Sequence, residues 1–213
     1  MGTRGKFGFF YKGKYYMAYN RWDSYPSGLG VDLLIEIIHA DLDEWIKLLE
    51  NIKEVDDDEI KPTPEEMKKL EGYTDMSGGG SFTSWHNILK LTQGSFYHTL
   101  HSGYLVNVHY YGVDEEFIYV LDLDNKQFRA KAVRGEYEDD DEDDNGSDEE
   151  DDDRNNNLDV TIGLGKEELV QLAIKWSKGD LPEDYDPEGE LARKQEKAKN
   201  DFERSRKHLL LLD

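Results

Sequence analysis

Residues 136–153 hold fourteen acids and no base, so this stretch cannot enter a packed core. It repels itself, offers no apolar face and is expected to stay disordered, together with the polar run Asn155, Asn156 and Asn157 that follows. A long insertion of this kind costs little closure entropy, about 0.6 kcal/mol for each doubling of its length. The segments on either side, 1–135 and 154–213, are therefore expected to fold together as one domain, with 136–153 as an acidic insertion. Of the formal net charge of −22, fourteen units lie in this stretch.

The apolar pattern elsewhere predicts both strands and helices. Residues 6–11 and 14–19 are aromatic-rich runs separated by Lys12 and Gly13, the signature of a β-hairpin. Residues 24–30, with Pro26, Gly28 and Gly30, predict a tight loop. Helix is expected over 31–40 and again over 41–55, where Leu42, Trp45, Ile46, Leu49 and Ile52 form one stripe. Residues 56–80 are polar and predict a surface excursion. Short helices are expected at 84–91 and 96–100, then a meander of strands at 104–111, 117–123 and 127–133. Beyond the insertion, residues 166–178 and 187–212 read as helices. The fold class is α+β, with antiparallel strands in an N-terminal hairpin and a central meander, and helices packed on them.

Charge and composition exclude several functions. A phosphate-backbone binder needs clustered Lys and Arg, so direct nucleic-acid binding is not expected at −22. The same charge disfavours anionic membranes, and no apolar run is long enough to span one. The start carries no apolar leader, and there are no cysteines for a disulfide framework, a thiolate metal site or a thiol nucleophile. The expectation is an acidic protein of the cytoplasm or nucleus, with no cofactor.

The densest chemistry lies in the first thirty residues. A hairpin brings its outer ends together, which should set Thr3 and Arg4 near Asn20, Arg21, Trp22, Asp23 and Tyr25. A hydroxyl, a guanidinium, an amide, a carboxylate and a phenol would converge beside a glycine-bearing loop. The plain structural alternative is that Arg4 pairs with Asp23 while Trp22 and Tyr25 fill core space.

Met1-Gly2-Thr3-Arg4, followed after the hairpin by Trp22-Asp23, Tyr25-Pro26, Gly28 and Gly30, resembles a family of short, largely uncharacterised proteins that share these two motifs. A weaker echo lies at residues 119–124. More distantly, Thr3 with Tyr19-Asn20-Arg21-Trp22-Asp23 is similar to the layout of N-terminal-nucleophile hydrolases. That likeness implies Thr3 as nucleophile, Asp23 orienting its α-amine, and Asn20 or Arg21 stabilising the oxyanion. Such chemistry requires loss of both Met1 and Gly2.

Three functions follow as expectations. The first is a non-enzymatic binding domain for a small-molecule ligand or protein, using a pocket at the N-terminal hairpin with Arg4, Arg21, Trp22 and Tyr25 as binding residues. The second is an amide hydrolase built on Thr3, Asn20 and Asp23. The third is a histone-chaperone-like binder of basic proteins acting through 136–153. No metal site is expected. His98 and His101 share one helical face, with His86 and His109 as further candidates, but no His-Glu-x-x-His pattern accompanies them. The calcium-loop mimic starting at Asp184 has Gln195 where a Glu is required.

Overall fold

The computed structural model describes residues 3–56, 61–75, 83–106, 116–133, 158–177, 182 and 184–209, with side chains to residue 200. The acidic insertion and His109 lie outside the described residues. The hairpin forms as expected: β1 (Gly5–Tyr11) pairs antiparallel with β2 (Lys14–Asn20). Lys12 and Gly13 take positive φ of 50° and 73°, the left-handed pair whose twist suits a two-residue hairpin turn. After β2 come α1 (Val31–His39), α2 (Leu42–Glu50) and a short strand, β3 (Lys53–Val55). The chain continues through α3 (Pro64–Lys69), α4 (Trp85–Ile88), α5 (Phe96–Ser102) and β4 (Tyr104–Val106). Two further strands, β5 (Phe117–Asp122) and β6 (Gln127–Ala132), precede the insertion; β7 (Asp159–Gly163), α6 (Lys166–Ser177) and α7 (Pro187–Leu209) follow it.

The fold is α+β, and its main sheet is mixed. Five strands lie in the order β2-β1-β5-β6-β7, antiparallel except for β1 and β5, which run parallel with Gly5 opposite Phe117. β6 and β7 pair across the insertion, Lys131 opposite Asp159, so the acidic stretch joins neighbouring strands of one sheet. One sheet face is apolar. Phe7, Phe9, Tyr119, Leu121, Phe128 and Ala130 point into a core completed by Leu33, Leu34, Trp45, Phe96, Ala173 and Trp176 from the helices. Phe9 meets Trp45 edge-on, with ring centroids 6.4 Å apart. A second, smaller core gathers Val55, Leu70, Trp85, Ile88, Leu89 and Tyr104.

Four local expectations are corrected. The helix read over 41–55 ends at Glu50, where Asn51 folds its amide onto Lys47 O at 2.7 Å, and the β-branched Val55 joins a strand instead. β4 does not extend the meander; it pairs parallel with β3 in a separate two-stranded sheet, because β1 and β6 take both edges of β5. The loop at 24–30 contains a helical turn over Pro26–Gly30 that runs into α1. The polar excursion at 56–80 includes α3, which carries a reciprocal Thr63–Glu66 cap, and it buries Leu70. Among the described residues, no helix is long and apolar enough to cross a membrane.

Candidate functional site

The hairpin ends meet. Ser24 N–H donates to Thr3 O at 3.2 Å, and Gly5, opposite Asn20, lies so close to Ser24 that a Cβ there would sit 2.8 Å from the serine Cβ. The turn that follows is held by buried polar groups. Asn20 donates from Nδ2 to Trp22 O and, at 2.9 Å, to Ser24 Oγ, so both amide protons are committed inside the turn. Tyr119, fully buried, donates its hydroxyl to Ser24 O at 2.8 Å. Asp23 O accepts from Leu29 N–H at 2.9 Å, and Asp23 itself adopts φ 53°, a left-handed conformation that few non-glycine residues take without support.

This frame presents the sequence-predicted residues outward. Trp22 is 57% exposed and Tyr25 is 39% exposed, so neither fills core space. Arg21 lies over the Trp22 ring at 5.4 Å. Arg4 is exposed, its backbone paired with Glu116, and among the described residues no ion pair joins it to Asp23. The charge of the nearby Asp23 carboxylate is the main reason that the Tyr25 phenol's pKa rises. Arg4, Arg21, Trp22, Asp23 and Tyr25 thus lie at the surface of the joined hairpin ends, Thr3 is half-buried, and Asn20 is buried scaffold.

A second polar cluster was not foreseen. Glu36, within the apolar run of α1, is buried beneath α5 and the C-terminal segment. Its Oε1 accepts from Ser95 Oγ at 2.6 Å and its Oε2 from Tyr97 N–H at 3.0 Å. The Tyr185 hydroxyl lies 3.0 Å from Glu36 Oε1 and 3.0 Å from Glu190 Oε2. A phenol has one proton, so it can donate to only one of these carboxyls; the other contact requires a protonated carboxyl. Burial pushes Glu36 up to about 7. Burial also pushes Glu190 upward, but its 2.8 Å ion pair with Lys194 and the Tyr185 hydroxyl outweigh that and hold it below the usual range. Glu36 therefore carries the proton, donates to Tyr185, and Tyr185 donates to ionised Glu190. The sequence signal was a lone acid inside the run Leu33-Leu34-Ile35-Glu36-Ile37-Ile38.

His98 and His101 are both engaged by backbone carbonyls. His98 is fully buried, with Nε2 3.0 Å from Pro187 O, and burial is the main cause of its lowered pKa. His101 turns its Nδ1 to Tyr97 O at 2.9 Å. Among the described residues, no group of three or more metal-ligating side chains is placed to hold an ion. Compared with protein-family models, with curated proteins and with solved structures, the chain matches none.

Proposed function

We propose that this is a protein-binding domain that recognises a basic partner through the turn carrying Arg21, Trp22, Asp23 and Tyr25. One observation carries the reading: a tryptophan 57% exposed to water stands on a turn whose supporting Asn20, Ser24 and Tyr119 are buried and hydrogen-bonded. Large aromatics and arginines dominate the binding energy of protein interfaces, and a rigid frame reduces the ordering cost of binding. Trp22 and Tyr25 serve as apolar anchors, Arg21 fixes the indole from one face, and Asp23 accepts from the partner's cation. The net charge of −22 steers such a partner inward from a distance.

The test installs a photo-crosslinking residue at position 22 of the full chain and quantifies its adducts with basic proteins of a native extract. Trp22→Ala and Tyr25→Ala are then compared with wild type for capture of the crosslinked partner. Loss of capture at unchanged melting temperature supports the proposal. Undiminished capture in both variants, together with loss on deletion of 136–153, would move the function to the acidic stretch. Thr3→Ala separates the hydrolase reading, since a binding turn keeps its affinity when that hydroxyl is removed.

A further inference from the structure

The sheet face opposite the core is an ordered array. Strand register sets Met17, Gly8, Val120, Arg129 and Thr161 in one row across the five strands. Tyr19, Lys6, Ile118, Lys131 and Asp159 form the row beside it. Gly8 contributes no side chain, and a Cβ there would strike the Tyr16 carbonyl and Met17. The result is a trough between Met17 and Val120, part of a groove of about 550 Å³ lined by Lys6, Tyr15, Met17, Ile118, Val120 and Arg129, with Lys131 and Thr161 along β6 and β7. That volume lies in the range of small-molecule sites.

Its charge is opposite to that of the chain. In a protein of net charge −22, the described residues lining the groove include Lys6, Arg129 and Lys131 with one exposed acid, Asp159. The other acid of this face, Asp122, is buried and already accepts from Asn125 and pairs with Arg129 Nη2 at 3.0 Å. Arg129 lies over the adjoining rings of Phe10 and Tyr15, 5.5 and 5.9 Å from their centroids, and among the described residues its buried Nε–H has no acceptor. An apolar floor, a cationic rim and an unused guanidinium donor together define one ligand chemistry.

We infer that this groove binds a small amphipathic anion, a carboxylate or sulfonate with an aliphatic or aromatic body. The head group is received by Arg129 and Lys131, and the body lies on Tyr15, Met17, Ile118 and Val120. Arg21, Trp22, Asp23 and Tyr25 of the turn do not line it.

The probes are 8-anilinonaphthalene-1-sulfonate, followed by fluorescence, and decanoate as competitor, with the full chain. Saturable binding is expected, displaced by decanoate and not by decyltrimethylammonium, which has the same body and the opposite charge. Amide shifts in a titration should centre on Met17, Val120, Arg129 and Thr161. Lys131→Glu and Tyr15→Ser alter exposed side chains and should each weaken binding about tenfold at unchanged melting temperature. Equal displacement by the cation, shifts centred elsewhere, or unchanged affinity in both variants overturns the inference. It is also overturned if the face proves to be covered by a second copy, seen as a dimer that Lys131→Glu dissociates. Binding that appears only after deletion of 136–153 would make the chain's own acidic stretch the occupant, and refutes it as well.

Discussion

Tyr185 places its hydroxyl 3.0 Å from Oε1 of Glu36, a residue 149 positions earlier in the chain. The contact ties the segment leading into α7 to the buried face of α1. Because the same hydroxyl also touches Glu190, the joint holds two protons among three oxygen groups, and its strength depends on pH.

Glu36→Gln should remove one component of that dependence. The folded-state pKa of Glu36, about 7, lies above its ordinary value of 4.5. Native protein therefore keeps the proton across pH 4.5–7 while unfolded chain releases it, and this contribution to stability is full below 4.5 and lost as pH rises through 7. Its size is on the order of 3 kcal/mol. His98, with a pKa lowered by burial, contributes the opposite slope below about 6.5. The readout is therefore the difference between wild type and Glu36→Gln in urea unfolding from pH 5 to 8. Parallel curves would show that Glu36 does not hold the proton.

Tyr185→Phe deletes the shared hydroxyl and leaves Glu190 and Glu36 each short of a partner. The expected loss is about 1–3 kcal/mol, concentrated at the docking of α7. Hydrogen exchange should rise in residues 187–200 more than in β1 or β5. A uniform rise across the chain would contradict this placement.

Trp22→Ala and Trp85→Ala should differ sharply. Trp85 is fully buried in the smaller core, stacked on Tyr104 with ring centroids 5.3 Å apart, and its truncation should cost about 3–5 kcal/mol. Trp22 is exposed, and its truncation should change stability by no more than about 0.5 kcal/mol. Denaturant midpoints measure both. A large loss at Trp22 would make it a structural residue and remove the basis for a recognition turn.

Tyr119→Phe tests the frame beneath that turn. It removes the hydroxyl donated to Ser24 O and leaves the carbonyl without that partner, at a cost of about 1–3 kcal/mol. Hydrogen exchange at the Ser24 and Leu29 amides, which donate to Thr3 O and Asp23 O, should rise as the turn loosens. Unchanged exchange there would show that the Tyr119 bond does not hold the turn.

Local chemistry and periodicity were enough to predict the hairpin. Lys12-Gly13 supplies left-handed backbone between alternating aromatic runs, and the joined ends bring Thr3 to Ser24. The stripe Leu42, Trp45, Ile46 and Leu49 likewise announced α2, since helix periodicity is a property of neighbouring residues. β7 was not expected: Val160 and Ile162 do alternate with Asp159 and Thr161, but the polar run before them hid the signal. The exposure of Trp22 was not legible. Nothing local distinguishes a core tryptophan from one that a buried frame holds in water.

The α+β class and the hairpin were determined by the sequence alone, because propensity and turn chemistry act over a few residues. The parallel pairing of β1 with β5, the transfer of β4 to a second sheet, and the meeting of Glu36 with Tyr185 and Glu190 belong to the tertiary structure. These contacts join distant parts of the chain. They are selected by burial of the shared core and by pairing of polar groups removed from water, terms that do not exist until the elements have packed.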